Sequence, residues 1–305
     1  MAIPTSRSKV EAEIRIDTGR CTGCGRCVSV CKSFCLVLKD HKVALSGTSL
    51  FGCIGCGHCM AICPAEAITI QGRELSPDDL YDSPPPEDAA TYPQLTALLQ
   101  RRRSIREYED RPVEAPLIEA ILNAAQTAPM GLPPSDVNVV VFDSLEKSRA
   151  FAQDYVTFLK GLRFMTSKFF LAMMRPFWGK SNDELFRGFV SPLFSMVIDD
   201  MEKGKNDITY DAPVLFYFYG SPYADPADAL VAATYAMLAA ESIGLGTCML
   251  GAIHPLIQYG AKAKKLREKY GIVCKSREGL FLAVGYPALN YKKSLKRTFA
   301  SIHYQ

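Results

Sequence analysis

Nine of the 11 cysteines in this chain of 305 residues lie between Cys21 and Cys63. Eight of them fall into two runs, CTGCGRCVSVC from Cys21 to Cys31 and CIGCGHCMAICP from Cys53 to Pro64. Each run repeats the C-x2-C-x2-C-x3-C spacing that holds cubane iron–sulfur clusters. A [4Fe–4S] cube needs four thiolates aimed at four corners, and one tight loop can supply three when two residues separate each pair. Gly23, Gly25, Gly55 and Gly57 give such loops a permissive backbone and leave amides free to hydrogen-bond cluster sulfurs. Disulfides would demand an oxidising compartment, and no signal-peptide pattern is read at the start of the chain. Zinc would be over-supplied by a third and fourth cysteine in each run. Cys35, inside the apolar run Phe34–Leu38, reads as a small core hydrophobe, as do the isolated Cys248 and Cys274.

A second set of residues suits a phosphate monoester and a flat ring. Arg102, Arg103, Ser104 and Arg106 place cations and a hydroxyl within one turn. Pro129, Met130, Gly131 and Leu132 form a rigid loop whose glycine could lie against an aromatic ring system. Lys296 and Arg297 could close on the same phosphate. Taken singly, the arginine run could be a solvated helix end and the C-terminal cations a solvated tail.

The elements around these residues can be read from periodicity. Alternation makes Glu13–Asp17 a strand. Leu36–Leu38 and Lys42–Leu45 flank a hairpin turn at Asp40-His41, and Ala67–Ile70 closes the set. Cysteine loop plus short strand therefore occurs twice, an internal repeat. Residues 76–93, with Pro84–Pro86 flanked by acids, read as a stiff extended linker. Beyond it, helices are expected around Leu95–Leu99 and from Pro116, followed by a breaker-rich loop from Ala128 to Ser135 and a strand Val137–Phe142. Residues 146–207 are rich in Phe and Met and read as core or helix packing. A buried strand Val214–Tyr219, an Ala-rich helix ending at Gly244, a basic helix Ala261–Tyr270 and a strand Gly279–Val284 complete the chain. His254 and Tyr286 read as structural.

Composition bounds the possibilities. A net charge of +3 is too small to argue for nucleic acid or a membrane surface as partner. The longest apolar runs fall short of the roughly 18 residues of a membrane span. A cytoplasmic protein of two domains is expected.

The two cysteine runs, with Cys63-Pro64 closing the second, resemble a two-cluster bacterial ferredoxin domain. The resemblance implies that the fourth cysteine of each run ligates the other cluster. It thus assigns Cys21, Cys24, Cys27 and Cys63 to one [4Fe–4S] cluster and Cys53, Cys56, Cys59 and Cys31 to the other. From about residue 92 onward the chain resembles the FMN-dependent nitroreductase family. That resemblance rests on Arg-Arg-Ser-Ile-Arg, Ala-Pro-x-Gly, Ala212-Pro213-Val214-Leu215, Gly244-Leu245-Gly246-Thr247, Gly285-Tyr286-Pro287 and the basic C-terminus. It implies an α+β fold and a homodimer with FMN at the subunit interface. It further implies FMN phosphate and ribityl contacts from Arg102, Arg103, Ser104, Arg106 and Arg297, with Lys296 beside them. Pro129–Leu132 would pack on the isoalloxazine, and Met249, Leu250 and Gly251 would supply backbone contacts on its other side. Where many members carry Asn and Gln in the flavin loop, this chain has Pro133 and Ser135.

The expected architecture is a ferredoxin-type domain (1–75), a Pro-rich linker (76–93) and a nitroreductase-like domain (94–305). The expected function is a flavin oxidoreductase fed through two [4Fe–4S] clusters, with no protein acid or base assigned because the flavin does the chemistry. Its acceptor would be a nitroaromatic, quinone or activated alkene. The donor could be reduced ferredoxin, NAD(P)H or another low-potential donor; no G-x-G-x-x-G fingerprint occurs in the right context. Two other readings stay open: an electron-transfer adaptor for a protein partner, and a demethylating, dehalogenating or flavin-fragmenting enzyme on the same fold.

Overall fold

A computed structural model describes residues 2–305. The chain divides into two compact units. One takes in the residues up to Ala90 together with Pro129–Asn138 and Gly220–Asp228; the other comprises Thr91–Ala128, Val139–Tyr219 and Ala229–Gln305.

In the first unit, β1 (Glu13–Ile16) precedes the first cysteine loop and the short helix α1 (Arg26–Val30). Next come β2 (Leu36–Lys39) and β3 (Lys42–Leu45), then the second loop, α2 (His58–Ala61) and β4 (Ile68–Gln71). β1 pairs antiparallel with β4, in the register Ile14 to Ile70, so the outer strands of the repeat close on each other. β2 and β3 form an antiparallel hairpin whose two turn residues, Asp40 and His41, both have positive φ (48° and 58°). That is the left-handed geometry a two-residue hairpin needs, and Asp accepts it more readily than most residues. Cys21, Cys27, Cys35 and Cys59 are buried with Leu36, Val43, Met60, Ile68 and Ile70 in a core of modest size. The segment expected as an extended linker instead holds two short 3-10 turns, Pro77–Asp79 and Pro86–Asp88. Each begins with proline at its first position, where the missing N–H costs nothing.

A four-stranded sheet, all but a few residues of it in the second unit, has the order β5-β6-β8-β7, from β5 (Val137–Phe142), β6 (Val214–Gly220), β7 (Gly246–Leu250) and β8 (Gly279–Gly285). β6–β8 and β8–β7 are antiparallel. Every residue of β6 and β8 is buried, which explains why both read as unbroken apolar runs rather than alternations. Tyr217 stacks on Phe281 with ring centroids 4.0 Å apart, and burying each such side chain is worth about 1.5–3 kcal/mol.

Ten α-helices occur among the described residues. After α1 and α2 come α3 (Tyr92–Arg101), α4 (Ala115–Gln126), α5 (Leu145–Lys160), α6 (Lys168–Leu185) and α7 (Ser191–Glu202). α8 (Asp228–Ser242), α9 (Ile253–Leu256) and α10 (Ala261–Lys269) follow. α8 ends as its sequence suggests: Gly244 has φ 84°, Gly244 N–H donates to Glu241 O, and Leu245 N–H reaches back to Ala240 O at 2.8 Å. This is the Schellman arrangement. α6 kinks at Gly179, three residues after Pro176. The Phe/Met-rich region divides: Phe151 and Phe158 belong to the core, whereas Phe169 and Phe177 are exposed. Among the described residues, no helix is long and apolar enough to cross a membrane.

Candidate functional site: two cysteine cages and an arginine-lined cleft

The two cysteine loops are built alike. Each threads two glycines in the left-handed region, Gly23 and Gly25 at φ 71°, Gly55 and Gly57 at 72° and 73°. At Gly23 a side chain is impossible, since a Cβ there would lie 2.0 Å from the His41 carbonyl oxygen. Each loop then enters a one-turn helix that carries its third cysteine, Cys27 or Cys59, inward.

Two cavities result. Cys21, Cys24, Cys27 and Cys63 line one; Cys31, Cys53, Cys56 and Cys59 line the other. Three cysteines of each set come from one loop and the fourth from the other. Among the described residues, no three His, Cys, Asp or Glu side chains close on a single point as one metal ion would require. A cubane is wider than an ion and keeps its thiolates apart, so four cysteines around a void suit the larger group. The backbone already points donors at sulfur: Cys35 N–H to Cys31 Sγ and Ala67 N–H to Cys63 Sγ, both at 3.3 Å. These two contacts occupy equivalent places in the repeat, although Lys32 stands where the second run has Pro64. Amides of Val43 and Gly23 hold the Cys21 thiol below its ordinary range, and the Arg26 amide does the same for Cys24. Burial pushes Cys53 up to about 11 and Cys59 up to about 12. Iron must therefore displace protons from these two thiols, as metal binding to cysteine does. Cys35 is buried as expected, but it also lines the second cavity, with its Sγ 3.4 Å from Ser49 Oγ.

In the second unit, the segment after α3 is stitched along the sheet. Ser104 bridges Thr247 in parallel, Ile105 N–H donates to Thr247 O at 2.9 Å, and Tyr108 bridges Pro287. Gly246 makes this possible, because a Cβ there would come within 2.5 Å of the Ile105 side chain. Arg103 is buried and turns Nη1 onto the carbonyls of Gln100 and Arg102 at 2.9 and 2.6 Å. Its Nη2, like the Thr247 hydroxyl, is buried with no hydrogen-bond partner. Leaving such a group unpaired costs about 1–3 kcal/mol.

Arg102 is half-buried, and burial together with the charges of Arg297 and Arg103 lowers its pKa. Cations are thus gathered here, with Glu241 and Cys248 opposing them. Arg106 stands over the Tyr210 ring at 5.7 Å, and the Cys248 thiol nearby is the main cause of its raised pKa. A cleft of about 460 Å³ opens beside these residues, lined by Arg103, Ile105, Gly246 and the tail residues Tyr291–Ser294 among others. Two orphaned buried donors and an excess of cations fit an anionic group such as a phosphate. Lys296 and Arg297 are exposed.

Met249, Leu250 and Gly251 lie elsewhere in the same unit, on the wall of an apolar cavity of about 270 Å³. Phe189, Leu193 and Tyr210 face it from the Phe/Met-rich region and its sequel. Pro129–Leu132 belong to the first unit. There Gly131 N–H donates to Asp228 Oδ1 at 3.0 Å, and Pro129, Met130 and Gly131 are exposed residues. Sequence reasoning missed Thr247, Tyr210, Asp228 and Arg73. Only the orphaned hydroxyl and the cavity walls reveal the first two. Arg73 carried no signal beyond following a glycine. His254 is buried, with Nδ1 2.9 Å from the Tyr217 hydroxyl, in keeping with a structural role.

Residues 99–286 match the nitroreductase family. The chain belongs to that family. Within it, residues 20–68 match a 4Fe-4S dicluster domain, so an iron–sulfur module precedes the nitroreductase domain. Among solved structures, the chain is similar to a nitroreductase with bound FMN from Bacteroides fragilis, at 20% identity and a TM-score of 0.49, over 69% of this chain and 99% of that one. A nitroreductase with bound FMN from Desulfitobacterium hafniense gives 19% and 0.49 over 69% and 97%. An FMN-dependent nitroreductase from Clostridium difficile gives 21% and 0.42 over 68% and 98%. No curated protein matches the sequence. This nitroreductase-family chain is an oxidoreductase of mixed α and β structure.

Proposed function

We propose that this nitroreductase-family chain is an FMN-dependent oxidoreductase whose flavin receives electrons from two [4Fe–4S] clusters in the same polypeptide. In this reading residues 1–75 hold the clusters, 76–93 form the linker and 94–305 hold FMN. The observation that carries it is the division of eight cysteines between two cavities, four to each, ahead of a nitroreductase domain. When bound, cubanes exchange single electrons, and FMN turns them into two-electron, hydride-equivalent chemistry.

The chain's own residues have distinct tasks. Cys21, Cys24, Cys27 and Cys63 hold one cluster; Cys31, Cys53, Cys56 and Cys59 hold the other. The Cys35 and Ala67 amides donate to ligand sulfurs and favour the more negative, reduced state. Arg102, Arg103, Ser104, Arg106 and Arg297 bind the FMN phosphate and ribityl chain, with Lys296 beside them. Arg103 Nη2 and the Thr247 hydroxyl gain the partners they lack. Pro129–Leu132 pack on the flavin ring, and Met249–Gly251 contact its other side. The apolar walls around Phe189, Leu193 and Tyr210 exclude water and set which acceptor enters. That acceptor is a small nitroaromatic, quinone or activated alkene. A homodimer with FMN at its interface, reduced ferredoxin or NAD(P)H as donor and a cytoplasmic setting complete the reading.

Anaerobic stopped-flow mixing of the reduced protein with each acceptor class tests it. Reoxidation by at least one class within turnover time is expected. Reoxidation by a partner protein alone would overturn it in favour of an electron-transfer adaptor.

A further inference from the structure

Arg73 is the most heavily bonded side chain of the first unit and has no task in the reading above. It is 5% exposed and sits in a two-residue turn after β4, where Gly72 N–H and O pair with Leu75 O and N–H. Arg73 and Glu74 both take positive φ, 53° and 57°. A left-handed residue other than glycine costs about 1–2 kcal/mol. The fold holds two of them in succession, and the turn aims Arg73 inward.

Its guanidinium makes five hydrogen bonds, every one to a backbone carbonyl. Nε donates to Ile54 O at 2.9 Å and shares Pro133 O with Nη2, at 3.2 and 2.7 Å. Nη1 takes Ile3 O and Val10 O at 3.0 and 2.9 Å. Ile54 lies between the ligands Cys53 and Cys56, and the Arg73 stem lies against Gly55, where a Cβ would approach it to 3.1 Å. Pro133 directly follows the Pro129–Leu132 loop. One side chain therefore fixes the second cysteine loop to the segment that presents the flavin-binding backbone.

Among the described residues, no carboxylate forms an ion pair with Arg73. The acidic groups that act on it are Asp136 and Cys53, the latter a thiolate once iron is bound. Asp136 itself is buried and accepts from Ser6 N–H at 3.1 Å and from the Ser6 hydroxyl. A buried cation acts on nearby charge with little screening, unlike the exposed Lys42 beside the first cage.

We propose that Arg73 is a positioning residue that clamps the Cys53–Cys59 loop to the Pro133 segment, and that its buried charge makes the cluster of that loop the easier of the two to reduce. The inference rests on the two-cluster reading. Reduction adds one electron to a cage already rich in thiolate charge, and a buried cation beside Cys53 stabilises that state relative to the oxidised one. The reductant is the external low-potential donor.

The test is an EPR-monitored redox titration of the full-length, iron-loaded protein. Arg73→Gln should lower one of the two cluster midpoint potentials and leave the other in place, with iron still about eight per chain. Asp136→Asn, which keeps an acceptor for Ser6 but removes a negative charge, should raise the same potential. If Arg73→Gln does not retain iron, Arg73→Lys, which keeps the charge without the fork, should retain it with an unshifted potential. Potentials unmoved in iron-loaded Arg73→Gln and Asp136→Asn, or both clusters shifting together, would overturn the proposal. An unsubstituted chain that binds no iron would overturn the cluster reading itself, a separate failure visible before any variant is made.

Discussion

Arg103 and Thr247 carry the sharpest residue-level consequence. Each buries a polar atom that no protein group satisfies, Arg103 beside the segment laid along β7 and Thr247 on β7 itself. Arg103→Met should weaken FMN by about 10- to 150-fold, equivalent to the roughly 1.5–3 kcal/mol of a charge-assisted contact. Fluorescence titration of the apoprotein with FMN measures it; unchanged affinity would show that Arg103 takes no part in holding the flavin. His254 makes a different prediction. Burial pulls its pKa below the ordinary 6.5, so the folded state prefers the neutral ring. That contribution to stability is present above the unfolded pKa and is lost as pH falls below about 6.5, because the unfolded chain takes up the proton first. Thermal melts from pH 7.5 to 5 should show a decline that His254→Gln flattens. The arginines and cysteines were legible because their types and spacing announce a chemistry. Thr247 and Tyr210 were not, since a threonine in a strand and a tyrosine in a loop look ordinary until cavity walls are seen.

At the scale of elements, the two cysteine loops share their ligands. Cys31→Ser should therefore disturb the cluster of the Cys53–Cys59 loop and spare that of its own loop. Iron analysis with EPR checks this: one of the two cluster signals should be lost or altered, and loss of both would contradict the crossed arrangement. Gly246 is the comparable point in the sheet. Gly246→Ala forces a methyl into Ile105 and should cost about 1–3 kcal/mol, seen as a lower Tm, while loosening FMN through the displaced arginine segment. Strands β1 to β4 and the α8 cap were readable because alternation, paired positive-φ turns and a terminal glycine are local signals. The short turns at Pro77 and Pro86 were not, since proline suits an extended run and a first helical position equally well. The Phe/Met-rich region also defeated sequence reading. Its apolar residues divide between core, cavity wall and exposed faces, and periodicity cannot tell these apart.

At the scale of the molecule, the proposed reading joins the nitroreductase domain and the cysteine module in one redox device. The cysteine cages dictate single-electron carriers, and the arginine-lined cleft suits the phosphate of a cofactor that accepts electrons singly and delivers them in pairs. The most direct test of this account is an anaerobic reductive titration followed by absorption. The account predicts about eight irons and one FMN per chain, and uptake of about four electrons, roughly one for each cubane and two for the flavin. Uptake of about two electrons by a flavin alone, with iron near zero and zinc in the cysteine cages, would contradict it.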